Sequence, residues 1–226
     1  MSEEKNRPEK DDGVKKDQTY LGMTRRTFSL AVGGGLAMLG LGGLKFVGTN
    51  PVIRPPGGKD EDHLVSACIR CQRCYEICPH NVIRPSHIED GILTMRTPTF
   101  DFSHGFCDWC EEHNNGEPLC VKACPTEALK LPVGATAEET IIGKAIIKED
   151  WCLAYKLIGC RFCYDACPYE AMDIDEHGRP YVIDDKCNGC GACESVCVSL
   201  QNASIAEGAD KRAIIIYPEA VAKEMK

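Results

Sequence analysis

The hydrophobic positions of this chain form one continuous run near the amino terminus and many short stretches after it. Residues 1–20 are mostly polar and charged, which predicts a disordered leader. The run from Leu30 to Leu44 is apolar and contains six glycines. Its 15 residues are fewer than the roughly 20 that a membrane-spanning helix needs, so the pattern indicates the apolar core of an export signal.

Two adjacent arginines, Arg25 and Arg26, precede the apolar run, and Phe28 follows two residues later. This order is typical of a bacterial twin-arginine (Tat) signal. We therefore expect the Tat export machinery as a partner and the periplasm as the location, at or near the outer face of the cytoplasmic membrane. No A-x-A cleavage site follows Leu44, so the sequence leaves open whether the segment is removed or stays as a membrane anchor.

These patterns divide the chain into four regions. Residues 1–49 are expected to form a signal region with a long charged leader, and residues 50–60 a linker rich in Pro and Gly without regular structure. A folded domain is expected over residues 61–197, followed by a carboxy-terminal strand and tail over 198–226. Strand-prone stretches at 88–96, 143–150 and 178–187 each come before a cysteine-containing loop. The pattern predicts an α+β fold of short strands and helices.

Cysteine is the residue type that changes this picture. All 16 cysteines lie between Cys68 and Cys197, whereas only 2 Trp, 7 Tyr and 6 Phe are available for an ordinary core. Something other than apolar burial must therefore help to hold the fold together, as small scaffolds generally require. The formal net charge of −8 argues against a nucleic-acid-binding protein.

The cysteines form four quartets that repeat along the chain. The first has the spacing C-x2-C-x2-C-x3-C-P, which bacterial ferredoxins use to bind 4Fe–4S clusters, and the other three keep its C-x3-C ending. Two quartets carry insertions in their loops, where added length costs little. The sixteen candidate ligands are Cys68, Cys71, Cys74 and Cys78; Cys107, Cys110, Cys120 and Cys124; Cys152, Cys160, Cys163 and Cys167; and Cys187, Cys190, Cys193 and Cys197.

The quartets also share their endings. In the first three, a proline and then an apolar pair follow the fourth cysteine, whereas Val198 replaces the proline in the last quartet. We expect the fourth cysteine to begin a helix and to point toward a different cluster from the other three. Gly189 and Gly191 allow the backbone of the last quartet to fold tightly around its cluster.

Two other uses of cysteine fit this pattern less well. Disulfides do not require a repeated spacing, and cysteines two residues apart bridge poorly. Structural zinc sites of four cysteines are typically built from two separated C-x2-C pairs. Sixteen ligands with none left over predict four 4Fe–4S clusters in two double-cluster ferredoxin-like modules. The spacing leaves open whether neighbouring quartets pair in tandem, or the first pairs with the fourth and the second with the third.

The remaining residues indicate no separate chemistry. No phosphate-binding loop, nucleotide fingerprint or nucleophile–base constellation is present, so we expect an electron carrier rather than an enzyme. An iron–sulfur subunit that docks a molybdo-oxidoreductase, and a scaffold that holds clusters without passing current, are the other hypotheses. Trp109 and Trp151 are expected to shield clusters from water. The histidines show no ligand spacing with one another, which predicts surface or loop positions for His63, His80, His87, His104, His113 and His177.

The signal and the four quartets together, roughly from Thr24 to Pro218, resemble the NapG/MauM family of ferredoxin-type proteins. The most specific features are "CDWC…PLCVKACPTEAL", "WCLAYKLIGCRFCYDACP" and the proline-free ending "CESVCV". The resemblance implies a periplasmic iron–sulfur electron-transfer subunit whose cluster ligands are the sixteen cysteines. A member like NapG would take electrons from a quinol-oxidising, polytopic membrane iron–sulfur partner (NapH-like) toward a periplasmic redox partner, nitrate reductase. A member like MauM would act in methylamine oxidation. The long charged leader and the widened loop "EEHNNGE" depart from the family pattern.

Overall fold

Short helices and two-stranded sheets alternate along most of this chain. The computed structural model describes residues 25–44, 51–156, 158–199 and 211–225. The expected disordered leader, residues 1–20, and residues 200–210 of the predicted carboxy-terminal region lie outside these described residues. The chain divides into two compact units, residues 1–44 and 45–226, which we describe separately.

The described part of the first unit is one helix, α1 (Arg25–Leu44). Arg25 and Arg26 are its first two residues, and Phe28 follows with 57% of its surface exposed. The apolar side chains of the described run, including Leu30, Leu36 and Leu39, are also exposed. No helix in the described ranges combines the length and the apolar character that crossing a membrane requires.

The helices of the second unit are short, and four of them repeat around the cysteine quartets. Each of the four helices contains the third cysteine of its quartet, and the fourth cysteine follows the helix end. These helices are α3 (Arg73–Glu76), α5 (Leu119–Lys122), α6 (Phe162–Asp165) and α7 (Ala192–Ser195). The prediction that the fourth cysteine begins a helix is therefore wrong. The other described helices of this unit are α2 (Glu61–Ala67), α4 (Glu111–Asn114) and α8 (Glu219–Glu224), with 3-10 turns at Ile88–Asp90, Glu149–Trp151 and Ala154–Lys156.

The described strands form three antiparallel pairs. These are β1 (Ile83–Pro85) with β2 (Pro98–Phe100), β3 (Lys144–Ile147) with β6 (Ile214–Tyr217), and β4 (Met172–Ile174) with β5 (Pro180–Val182). Strands β3 and β5 lie within two of the three predicted stretches, and β6 lies in the region predicted to hold the carboxy-terminal strand. The structure contains helices and strands together, as the sequence pattern indicates.

The prediction of a strand over residues 88–96 is wrong. This segment forms a 3-10 turn and irregular turns, while β1 and β2 lie on either side of it. Its apolar side chains are not buried: Leu93 is 58% exposed and Ile92 45%. Polar groups stabilise the loop instead, because the buried Thr94 hydroxyl donates to the carbonyls of Asp90 and Gly91, both at 3.1 Å.

The apolar pair after each quartet ending anchors the core. Val82 with Ile83, and Ala128 with Leu129, are at most 2% exposed. The corresponding residues Ala171 and Met172 are 3% and 5% exposed. In all three cases the preceding residue adopts a left-handed backbone conformation, with φ between 49° and 51° at Asn81, Glu127 and Glu170. The repeat read from the sequence is therefore also a repeat of backbone geometry.

The Pro/Gly segment contains no described helix or strand, but it packs against the fold. Pro55 and Pro56 are fully buried, and the Arg54 side chain is 6% exposed. Arg54 pairs with Glu61 and donates to the Thr97 hydroxyl at 2.9 Å and to the Pro98 carbonyl at 2.8 Å. The packed part of the chain therefore begins before Glu61.

Candidate metal centres

The sixteen cysteines gather into four sets of four thiols, and each set draws on two quartets. Set 1 is Cys68, Cys71, Cys74 and Cys124; set 2 is Cys78, Cys107, Cys110 and Cys120; set 3 is Cys152, Cys160, Cys163 and Cys197; set 4 is Cys167, Cys187, Cys190 and Cys193. The thiols of sets 1, 3 and 4 each line a single cavity. The thiols of set 2 are close enough for their charges to interact.

This grouping resolves the pairing that the spacing left open. The first quartet exchanges its fourth cysteine with the second, and the third quartet exchanges with the fourth, so the modules are tandem rather than nested. Each fourth cysteine joins the neighbouring set, as expected for a two-cluster ferredoxin arrangement. Four thiols around one cavity are also the donor set that a 4Fe–4S cluster requires, so the residues fit this group.

The sets follow one another in a single spatial succession. Cys74 of set 1 lies near Cys120 of set 2, and Cys163 of set 3 lies near Cys193 of set 4. Sets 2 and 4 meet at the contact between the modules.

At that contact, the charges of Cys107 and Cys190 interact, and the Cys107 amide donates to the Cys190 carbonyl at 2.8 Å. The spatial order is therefore set 1, set 2, set 4 and set 3, which differs from the order along the chain.

The protein environment disfavours free thiolates at several positions of these sets. Cys124 is an exception, because burial is outweighed by hydrogen bonds from the backbone of Leu129 and Thr126, which lower its pKa. Burial, followed by repulsion from Cys68 and Cys71, raises the pKa of the Cys74 thiol to about 12. Burial also raises the pKa of Cys163 and of Cys190 to about 12. Because gathered and buried thiolates repel one another, a bound cation must supply the compensating charge. Such thiols are suited to binding metal rather than to acting as nucleophiles.

A buried hydroxyl group contacts the fourth cysteine of the last quartet. Ser199 Oγ lies 3.2 Å from Cys197 Sγ and also accepts the Ala213 amide proton at 2.7 Å. When Cys197 is a thiolate ligand its sulfur carries no proton, so the Ser199 hydroxyl would be the donor in this contact. Thr126 Oγ1 lies 3.8 Å from Cys124 Sγ in the corresponding position. Hydrogen bonds to cluster sulfurs tune reduction potential, so these two hydroxyl groups are candidates for that role.

Left-handed residues shape the loops that carry the first cysteines. Arg70, Trp109 and Gly189, each directly before the second cysteine of its quartet, have φ of 56°, 58° and 80°. Gly191 has φ of 86°, and a Cβ there would lie 2.1 Å from Cδ1 of Phe102. Glycine is therefore required at this position by contact as well as by backbone conformation.

Five of the six histidines are exposed, as expected from the sequence. His80 is half-buried, although it lies in a turn as the prediction of surface or loop positions allows. The lack of ligand spacing did not indicate that two histidines contact the same carboxylate. His80 Nε2 lies 3.0 Å from Asp108 Oδ2, and His113 Nδ1 lies 3.6 Å from the same oxygen. His80 and Asp108 are far apart in sequence, but Cys78 and Cys107 belong to set 2 and bring their neighbours together. Tandem pairing was the only signal that could have indicated this cluster.

The two tryptophans occupy different environments. Trp109 is 2% exposed, while Trp151 is half-buried and packs against the buried cluster of Cys152, Ala154 and Ala213. For Trp151, this is the arrangement that water exclusion around a cysteine ligand requires.

Comparison with protein families agrees with the positions of the two modules. Two families, each described as a 4Fe-4S dicluster domain, match residues 67–129 and residues 158–199. The first match contains both quartets that contribute to sets 1 and 2. The second contains most of the cysteines of sets 3 and 4. The chain thus contains two 4Fe–4S dicluster domains.

Curated proteins with related sequences cover most of the chain. The ferredoxin-type protein NapG of Escherichia coli (strain K12) is 32% identical over 67% of this chain and 68% of its own length. The methylamine utilization ferredoxin-type protein MauM of Methylobacillus flagellatus is 34% identical over 88% of this chain and 87% of its own length. The ferredoxin-type protein NapF of Escherichia coli (strain K12) is 31% identical over 64% of this chain.

Proposed function

Because this chain belongs to the NapG/MauM family of ferredoxin-type proteins, we propose that it relays electrons from a membrane quinol oxidiser to a periplasmic reductase. The broader statement that it is an iron–sulfur electron-transfer protein follows from its relatives and its two dicluster domains. The proposal adds four 4Fe–4S clusters, one held by each set of cysteines, and no catalytic activity of its own.

The observation that carries the proposal is the continuous succession of the four sets. Each set lies next to the following one, from Cys74 and Cys120 through Cys107 and Cys190 to Cys193 and Cys163. A thiolate-bound 4Fe–4S cluster accepts and donates one electron at a time, and its reduction potential depends on hydrogen bonds and solvent exposure. A scaffold for storage would not need its sites in line, whereas a carrier does.

Sets 1 and 3 form the ends of this succession, and both ends have apolar side chains on the surface. Near Cys71, which is exposed, Ile69 is 63% exposed. The loop that carries Ile69 is held to a second exposed loop, because the Arg70 guanidinium donates to the carbonyls of Leu93 and Met95, both at 2.9 Å. Near set 3, Phe162 is 54% exposed. We assign these ends to the contacts with the two redox partners.

The proposed partners follow from the family. A polytopic, NapH-like membrane iron–sulfur protein would donate electrons, and nitrate reductase would be the terminal acceptor. The Tat machinery would export the protein with its clusters in place, and Arg25, Arg26 and Phe28 at the start of α1 would form the signal. The protein would then act in the periplasm, at or near the outer face of the cytoplasmic membrane.

A second candidate is a role in methylamine oxidation. The MauM relative from Methylobacillus flagellatus aligns over 88% of the chain, a larger share than the NapG relative covers. Both candidates use the same four sets and differ only in the proteins that donate and accept the electrons.

Reconstitution in membranes tests the proposal. Membranes and periplasm from a strain that lacks this protein are supplied with quinol, and reduction of nitrate is followed. Adding the cluster-loaded protein should restore electron flow, and the Cys163→Ala variant should not restore it. Tyr164→Phe, a conservative change in the same helix, serves as the matched control. Normal flow in the deletion membranes would refute the carrier role, and restoration only with methylamine as electron source would favour the second candidate.

A further inference from the structure

Three polar side chains next to set 2 converge on one point. His80 follows the Cys78–Pro79 turn, Asp108 lies between Cys107 and Cys110, and His113 lies in α4. One ligand atom from each, His80 Nε2, Asp108 Oδ2 and His113 Nδ1, lies within 4.8 Å of the other two. No residue spacing in the sequence indicates this cluster, and it shares no residue with the four cysteine sets.

The geometry differs from that of an ordinary ion pair. His80 Nε2 and Asp108 Oδ2 are both buried and lie 3.0 Å apart, and outside the contacts within this cluster neither atom has a hydrogen-bond partner. Buried polar atoms without such a bond require another partner, and a cation is one of the usual partners. The other carboxylate oxygen, Asp108 Oδ1, accepts the Cys110 amide at 2.8 Å, which fixes Oδ2 toward the two imidazoles. Hydrogen-bonded orientation of a carboxylate is typical of metal ligands.

We propose that His80, Asp108 and His113 bind a divalent transition-metal ion of the zinc class, separate from the iron–sulfur clusters. Two imidazole nitrogens and one carboxylate oxygen are a common zinc donor set, with a water molecule completing the tetrahedron. Ligand atoms of such a tetrahedron are about 3.3 Å apart, given zinc–ligand distances of about 2.0 to 2.1 Å. The two separations from Asp108 Oδ2, 3.0 and 3.6 Å, bracket that value.

The ligand atoms of His80 and His113 lie within 4.8 Å of each other. The His113 side chain is 43% exposed, so its ring is free to rotate toward the ion without disturbing the core. The ion would tie α4, which lies in the widened loop between Cys110 and Cys120, to the turn after Cys78. Both segments carry ligands of set 2, so the proposed ion would hold the two halves of that set together.

Zinc binding to the cluster-loaded protein tests the site directly. The protein is purified anaerobically, treated with EDTA, incubated with Zn²⁺ alone, dialysed, and analysed for zinc and iron. Zinc is chosen because it is counted separately from cluster iron. Wild type and His104→Ala, an exposed histidine in the same module, should retain about one zinc per chain, the occupancy of a single closed site. His113→Ala and Asp108→Asn should retain only background zinc while keeping the wild-type iron content.

Zinc X-ray absorption identifies the ligands and separates this site from zinc in a damaged cysteine set. The proposed site predicts nitrogen and oxygen neighbours at about 2.0 to 2.1 Å, whereas a cysteine site gives sulfur at about 2.3 Å. A sulfur shell, background zinc in wild type, or unchanged zinc in Asp108→Asn would each overturn the proposal. None of these readouts depends on electron transfer, so the result stands whether or not the proposed function holds.

Discussion

The Ser199 hydroxyl should raise the reduction potential of the cluster held by set 3. Ser199 is fully buried and accepts the Ala213 amide at 2.7 Å. Its Oγ lies 3.2 Å from Cys197 Sγ, and it would donate its own proton to that sulfur when Cys197 is a thiolate ligand. Reduction adds negative charge to the cluster, so this bond becomes stronger in the reduced state. A hydrogen bond to a charged group contributes about 1.5–3 kcal/mol in total, and we take about 1 kcal/mol as the part gained on reduction.

That difference corresponds to a measurable change in potential. For one electron, a tenfold change in equilibrium constant is about 59 mV and about 1.4 kcal/mol, so Ser199→Ala should lower the potential by about 40 mV. The assay is EPR-monitored redox titration of the cluster-loaded protein, compared at equal iron content. Ser195→Ala is the control, because its hydroxyl donates to the Ala192 carbonyl at 2.8 Å instead of to a cysteine. An unchanged potential in Ser199→Ala, or an equal shift in both variants, would refute the reasoning.

Three further sets of variants test other parts of the structure. Gly191→Ala should lower the free energy of unfolding by more than the about 1–2 kcal/mol that a left-handed residue costs, because its Cβ would meet Phe102 at 2.1 Å. Denaturant unfolding measures this loss, and Gly178→Ala is the control, since Gly178 has φ of 79° but no atom within 4 Å of the added Cβ. Equal losses in the two variants would refute the contact argument. Cys74→Ala and Cys124→Ala should each remove the same EPR signal and about four irons, whereas Cys78→Ala should remove a different signal. Loss of different signals from Cys74→Ala and Cys124→Ala would contradict tandem pairing. The double variant Arg25→Lys, Arg26→Lys should keep the cluster-loaded protein in the cytoplasm, as measured by cell fractionation. The control variant Arg7→Lys should still be exported. Normal periplasmic levels of the double variant would contradict the Tat signal.

The spacing of the cysteines predicts much of this architecture, because backbone geometry follows the motif closely. The four helices around the third cysteines repeat, and the buried pairs Val82–Ile83 and Ala128–Leu129 occupy matching places after their quartets. Local patterns of this kind are determined within about ten residues, so the sequence contains them fully. The fourth cysteine's place after the helix, rather than at its start, is a boundary that the spacing does not define.

Features that depend on long-range packing are harder to predict. The spacing does not distinguish tandem from nested pairing. To distinguish them, one must know that Cys124 lies close enough to Cys74 for their charges to interact. The contact between His80 and Asp108 depends on that pairing, so the spacing does not predict it either. The segment 88–96 has the apolar composition of a strand, yet buried hydroxyls and the Arg70 guanidinium satisfy its backbone carbonyls, so it remains a loop. Composition alone does not show which groups will provide those hydrogen bonds.

The most direct test of four clusters in two tandem modules is an iron and acid-labile sulfide count on anaerobically purified protein, combined with EPR of the reduced state. Four 4Fe–4S clusters predict about 16 irons and about 16 sulfides per chain. Because each set lies next to another, the spectrum should also show magnetic interaction between clusters. About eight irons at full loading, or cysteines bound to metal without sulfide, would contradict the account.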